Sequence, residues 1–215
     1  MPRYRIFYEK RGPACFIPHI VLPTVFTRAA SRASHSTNFN YELKPIIFQM
    51  TEGFSPHAKL SFASELPVGV VALMEPVDIW LINELCDAQF KAWNDHMPTG
   101  FKLNCYSQIP DGSPSLSKNC PISEYLLKSS APEKMESVKK VLSNIAENKF
   151  IDCSDAGEFI RFSVNNNLVV LGAIVRELIS EKAVEGWHEL RIVRVKVRSV
   201  NDEQQCCIND LQEAN

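Results

Sequence analysis

The chain is 215 residues long, 45% apolar and 22% charged, with a formal net charge of −2. Those proportions suit one or two globular domains and exclude wholesale disorder, collagen and coiled coil. The most apolar stretch, Leu66 to Leu85, is interrupted by Pro67, Glu75, Pro76 and Asp78, so no membrane span is expected. The opening MPRYRIFYEK carries charges where a signal peptide needs an apolar core, which predicts a cytoplasmic protein. The near-neutral total conceals a gradient of +5 over residues 1–60, −6 over 61–160 and −1 over 161–215. A basic first third can supply a patch for an anionic partner. None of the seven cysteines forms a CxxC pair, so reduced thiols are expected, and no metal or cofactor.

Arg3–Glu9 alternates with period two, placing Tyr4, Ile6 and Tyr8 on one face and Arg3, Arg5 and Phe7 on the other. A helix follows within 18–33, where Leu22, Phe26, Ala29 and Ala33 share a stripe. Pro18 suits its start and Pro23 would kink it, which leaves the boundary open. Residues 34–45 are polar and turn-rich, and read as a loop. Strands are expected at Ile46–Met50, Lys59–Ala63 and Val77–Asn83, then a helix carrying Cys86, Phe90, Trp93 and Met97. Pro98-Thr99-Gly100 stops that helix before a strand at Phe101–Ser107.

Residues 108–120 hold turn-prone clusters and no periodicity. A strand at Ile122–Leu127 follows. Ser130 and Glu133 have capping-box spacing ahead of a helix with Met135, Val138, Leu142 and Ile145 on one face. Further elements are a strand at Glu158–Val164, a helix through Leu171, Ile174 and Leu178, and a strand at Leu190–Val200 with Val193, Val195 and Val197 inward. Trp80, Trp93 and Trp187 read as core. Asp152, Asp155 and Glu158 read as a solvated acidic turn.

The element order of each half is strand, helix, two strands, helix, strand. That order predicts an α+β fold of two tandem ferredoxin-like (βαββαβ) units with antiparallel sheets. The first would span 1–109, a linker 110–120, the second 121–200, and a polar tail containing Cys206 and Cys207 would close the chain at 201–215.

Three groups of residues suggest chemistry. Arg3 and Arg5 share a strand face with Phe7, and Arg194, Lys196 and Arg198 form a basic row on the last strand. Charge alternating with aromatics is what a sheet uses on single-stranded RNA, although charged outer faces also merely resist edge pairing. Ser55, His57 and Lys59 lie on a glycine- and proline-framed turn suited to an anion. His19 and His57 are candidates for an acid–base pair in RNA cleavage. No GxGxxG, Walker loop, HExxH or GxSxG occurs.

Gly53-Phe54-Ser55-Pro56-His57-Ala58-Lys59-Leu60-Ser61-Phe62-Ala63, with Leu66-Pro67-Val68-Gly69-Val70, resembles the signature of the radical-SAM-linked protein family of unknown function. Tyr4 to Pro13 is similar to that family's opening strand, Met97 to Phe101 to its LPxGL turn, and Leu190 to Arg194 to its closing strand. Departures are Pro18-His19-Ile20-Val21-Leu22, where the family reads SHLDL, Ala58 in place of a proline, and an insertion at 34–45. The resemblance implies a partner, since family members are fused to cobalamin-binding radical-SAM proteins or encoded beside them. It also implies work on RNA or ribosomes. The expectation is a non-catalytic accessory protein that binds RNA through the basic strand faces and the Ser55–Lys59 turn. The alternatives are an RNA-processing enzyme using His57 with His19 or Lys59, and a purely structural partner of the radical-SAM protein.

Overall fold

The structure, a computed structural model, describes residues 1–37, 44–110 and 112–198. In chain order its elements are β1 (Arg3–Lys10), α1 (Leu22–Thr37), β2 (Leu60–Phe62), β3 (Val71–Trp80), α2 (Asp87–Asp95), β4 (Phe101–Ile109), the single turn α3 (Leu116–Asn119), β5 (Ile122–Ser129), α4 (Met135–Lys149), β6 (Phe150–Ala156), β7 (Phe159–Asn165), α5 (Leu171–Ser180) and β8 (Leu190–Arg198). The fold is α+β. Its strands form one mixed eight-stranded sheet in the order β4-β1-β3-β8-β5-β7-β6, with β2 pairing β3. No helix among the described residues is long and apolar enough to cross a membrane.

Within each half every pairing is antiparallel, whereas β3 and β8 run parallel through Val71↔Val193 and Ala72↔Arg194. The expectation of separate antiparallel sheets is therefore corrected to one continuous mixed sheet. The helices lie on one face. In the first half Tyr4, Ile6, Tyr8, Val77 and Ile79 pack under Leu22, Phe26 and Ala29 of α1 and Trp93 of α2. In the second half Tyr125, Leu127, Ile160, Phe162 and Ile192 pack under α4 and α5. Leu66, Val70 and Ala72 from the first half also belong to the second core. Transferring such apolar surface from water is the main force holding the layers together, at about 25 cal/mol per Å².

Several local expectations change. Pro23 lies in the first turn of α1, where a missing N–H costs nothing, and a 3-10 turn at His19–Val21 precedes it. The helix extends through Ser34–Thr37; the remainder of the expected loop at 38–43 lies outside the described residues. Among the described residues Ile46–Met50 makes isolated bridges, Phe48↔Leu81 and Met50↔Ala58, rather than a strand. Ser130 caps nothing, because a 3-10 turn at Pro132–Lys134 with Ala131 before it leads into α4. In β8 it is Ile192 and Arg194 that face the core, while Val193 and Val195 are half-exposed, and a bulge precedes Val197. The segment expected as a linker is packed: Leu116 is fully buried against Val197 and Cys120. Cys206 and Cys207 lie outside the described residues.

Gly100 fixes the entry to β4. It has φ +91°, and a Cβ there would stand 2.4 Å from the Arg11 carbonyl oxygen and 2.8 Å from Ala14 Cβ. Arg11 N–H donates to the Gly100 carbonyl at 2.7 Å, so the two turns cannot separate to make room. Gly100→Ala is expected to destabilise the protein by about 1–3 kcal/mol, read as a lower urea midpoint at unchanged slope. Gly112→Ala also places a side chain at positive φ but meets no neighbour, and should cost less.

Candidate functional site

One edge of β3 is taken by β1, and the other is shared by β8 at Val71–Ala72 and β2 at Val77–Ile79. Ser64 and Glu65 leave β2 where those two partners diverge. Arg194 of β8 points into this junction and is fully buried. Its Nε and Nη2 donate to the two carboxylate oxygens of Glu75 at 2.6 and 2.5 Å. Nη1 donates to Ser64 Oγ, the Glu65 carbonyl and the Tyr125 hydroxyl, and Nη2 also to the Ser64 carbonyl. Burial alone would lower the guanidinium pKa, but Glu75 and then Tyr125 outweigh it and hold it above its ordinary value.

Around this pair lie further buried polar groups. Lys10 is wholly buried with Nζ donating to the Ile17 carbonyl at 2.7 Å, and burial lowers its pKa. Tyr8 is buried and its pKa is raised, by desolvation and then by Glu75. His19 packs edge-on against Phe62 at 5.3 Å, and its Nδ1 is buried without a hydrogen-bond partner. The polar chain continues through Ser64 Oγ, Ser123 Oγ and the Asn166 amide. Sequence reasoning missed the place of Lys10, Glu75 and Tyr125 in this junction; Lys10 falls in the opening-strand segment Tyr4 to Pro13, and no motif marked the other two.

The structure redistributes the predicted basic rows. Arg3 and Arg5 are buried, not solvated. Asp78 accepts from Arg3 Nη2 at 2.6 Å and from Arg5 Nε at 2.8 Å, and Arg3 also donates to the Ser113 and Pro114 carbonyls of the segment lying over it. A guanidinium so enclosed cannot reach a phosphate, so both leave the RNA-binding set, and Arg194 leaves it with them. The last-strand row is thereby broken: Arg194 faces the core, while Lys196 is partly exposed 3.7 Å from Glu124 and Arg198 is half-buried.

Ser55 and His57 are exposed on the turn between Met50 and Lys59. His57 Nδ1 contacts Thr51 Oγ1 at 3.1 Å and the Ser55 carbonyl at 3.3 Å, within its own turn. Lys59 Nζ lies 4.9 Å from the Trp80 ring centre and the Arg3 guanidinium 4.7 Å from it, so Trp80 is a cation-flanked, half-buried ring rather than core. Trp187 is likewise part-exposed, whereas Trp93 is core, with Nε1 donating to the Phe26 carbonyl. No hydrogen bond among the described residues joins His57 to His19, and they have no common partner. Asp155 and Glu158 flank the β6–β7 turn, paired with Lys139 and Lys128.

Two groupings were not anticipated. The ligand atoms of Glu185, His188 and Glu189 lie within 4.8 Å of one another, but Lys134 Nζ stands 3.3 and 2.7 Å from the two carboxylates and already supplies their positive charge. The other grouping is on the sheet face away from the helices. There Arg191 lies beside Lys128, Arg161 and Val193 flank Leu126, and Lys128 Nζ is 5.6 Å from the Phe159 ring. Period-two alternation of β5 and β7 carried that signal, and the basic residues went unremarked because they stand singly among apolar ones.

Burial lowers the pKa of the His19 imidazole from 6.5, against the pull of Glu65; Arg194 and Lys10 add to the lowering and Glu75 opposes it. The folded protein thus keeps His19 neutral while the unfolded chain takes up a proton as pH falls through 6.5. The stability gained from a neutral His19 is present above that value and is lost on descending to its folded pKa. Urea midpoints measured from pH 8 to 5 should fall more steeply for the parent than for His19→Phe. Parallel curves would show that His19 does not titrate differently in the two states.

Residues 3–158 match the family DUF2344, described as an uncharacterized protein conserved in bacteria. No curated protein matches the chain. The matched span runs from β1 to the β6–β7 turn and takes in Ser64, Glu65 and Glu75 of the junction. With more than half of its residues so matched, the chain belongs to the DUF2344 family.

Proposed function

We propose that this chain is a non-catalytic accessory protein of a radical-SAM enzyme, and that it binds RNA through the sheet face of its second half that no helix among the described residues covers. Each half is read as a ferredoxin-like unit. The orders β4-β1-β3-β2 and β8-β5-β7-β6, antiparallel throughout, support that reading. The radical-SAM partner rests on the resemblance of the 53–70 segment to that family's signature.

The observation that carries the RNA reading is the composition of the uncovered face. Lys128, Arg161, Arg191 and Lys196 surround Phe159, Leu126 and Val193, against Glu124 and Glu158. Arg161 and Arg191 are exposed, and Arg191 has no ion-pair partner among the described residues. Both helices of this half pack on the opposite face. Guanidinium groups for phosphates beside half-exposed apolar and aromatic side chains for bases are the elements of single-strand recognition. Ser55, His57 and Lys59, on the first half, offer a second contact of the same kind.

Binding of a single-stranded RNA to the purified protein, followed across a salt series, tests this. Arg161→Ala with Arg191→Ala should weaken binding and reduce the slope of log affinity against log salt by about 1.4, two phosphate contacts' worth. Phe159→Ala should weaken binding by about 1–3 kcal/mol with little change of slope. Affinity and slope unmoved by the arginine pair would overturn the reading.

A further inference from the structure

Residues 49–59 form a narrow ribbon rooted on the end of β3. Gln49 N–H donates to the Trp80 carbonyl at 2.8 Å, Trp80 N–H to the Lys59 carbonyl at 3.2 Å, and Lys59 N–H to the Gln49 carbonyl at 2.7 Å. Further out Thr51 N–H donates to the His57 carbonyl at 2.8 Å, and His57 N–H to Thr51 Oγ1 at 3.1 Å. Gly53, at φ +123°, lets the chain reverse above that brace. At the apex stands Phe54, the most exposed large apolar residue among those described. Its side chain meets no other ring among them.

A phenyl ring held in water by a braced turn is an open stacking surface. Its exposed neighbours Glu52, Ser55 and His57 are polar, so it lacks the apolar surroundings that form the core of a protein interface. A nucleobase needs less: one ring face, with hydrogen-bonding groups beside it. Those groups are present. With His57 Nδ1–H turned to the Ser55 carbonyl at 3.3 Å, Nε2 presents its lone pair outward. Neither Nε2 nor Ser55 Oγ has a partner among the described residues. The Glu52 carboxylate makes the turn itself a poor seat for phosphate, which leaves a base as the part of a nucleotide that it suits.

We infer that the 51–57 turn takes one unpaired base of the RNA proposed above, a role that rests on that reading: Phe54 stacks on the base, and His57 Nε2 and Ser55 Oγ meet its edge. The foot of the ribbon faces the required side. Trp80 opposes Arg3 across the β1–β3 ladder, and opposed residues share a face, here the one away from Tyr4 and the helices. Lys59 Nζ, over the Trp80 ring, is on that side too. The second half exposes Arg161 and Arg191 on the same side of the one continuous sheet.

The test compares the parent chain with Phe54→Ala and Phe54→Tyr, using one mixed-sequence RNA both as a single strand and annealed into a duplex. Phe54→Ala should keep the parent Tm, because the ring packs on no other ring. It should bind the single strand at least about fivefold more weakly, the low end for one stacked base, with the salt slope unchanged. Phe54→Tyr should restore parent affinity, and duplex binding should be equal in all three. Ultraviolet crosslinking of the single strand to the parent should label the peptide containing Phe54. Equal single-strand affinity of Phe54→Ala and the parent, with the Arg161/Arg191 dependence intact, would overturn this role and leave the RNA reading standing; it is the result expected if Phe54 instead anchors a protein. An equal loss on the duplex would also overturn it, since a paired base cannot be stacked on the turn. Single-strand binding that depends on Phe54 but not on the arginines would sustain the role and overturn the uncovered face as the main contact. A parent that binds no RNA would overturn both.

Discussion

Arg194 and Glu75 hold the two halves in one sheet. The parallel ladder between β3 and β8 consists of only two residue pairs, Val71↔Val193 and Ala72↔Arg194. So short a ladder needs support, and the guanidinium provides it by reaching across to a carboxylate on β3 and to the chain leaving β2. A buried ion pair repays the loss of hydration only when its remaining hydrogen-bonding groups are also met. Here Nε, Nη1 and Nη2 all have acceptors, drawn from both halves. The demand is directional, so it selects one register of β8 against β3 as well as contributing energy. The bulges beside it, at Tyr8/Lys10 in β1 and at Glu124/Tyr125 between β5 and β8, turn the side chains that meet at the junction toward the helix side.

The internal use of charge also explains why net charge misleads in this molecule. The first sixty residues are markedly basic, yet Arg3 and Arg5 are neutralised by Asp78 beneath the 113–114 segment, and Lys10 is sealed under the Ile17 carbonyl. Lys102 stays exposed on β4, but the cluster of cations on a strand face toward solvent belongs instead to the second half, where charges of the two signs nearly balance over 121–200. Charge that is paired and desolvated contributes to the specificity of folding, and the field reaching a partner comes from what is left outside.

The 53–70 segment has two roles that its sequence does not separate. Its exposed part, Ser55 to His57, forms a self-bonded turn at the surface. Its buried part closes the junction: Phe62 packs against His19, Ser64 and Glu65 accept from Arg194, and Gly69 N–H donates to the Cys15 carbonyl at 2.9 Å. The matched family span includes this segment and Glu75 but ends before β8, so the arginine that completes the pair comes from beyond it. Ser64, Glu65 and Tyr125 of the junction also line a cavity of about 460 Å³.

Most elements were legible in the sequence because their causes are local. The alternation in β1, β5 and β7, the stripes in α2, α4 and α5 and the stop at Gly100 each follow from side-chain spacing within one segment. β6 was not legible, since FIDCSDA has no alternation and becomes a strand by pairing with β7. The first half of β3 was also missed, because Glu75 and Pro76 interrupt its apolar run. Of the candidate site residues, the exposure of Ser55 and His57 followed from their turn. The burial of Arg3, Arg5 and Arg194 did not, because whether a charged strand residue faces water depends on a carboxylate 73 to 119 residues away. The amino-acid sequence by itself determined where most of the helices and strands form and which of their faces are apolar, β6, the first half of β3 and the inward face of β8 excepted. Tertiary structure alone decided which charges are enclosed and which stay available, since desolvation is tolerated only where long-range packing brings a counter-charge into hydrogen-bonding distance.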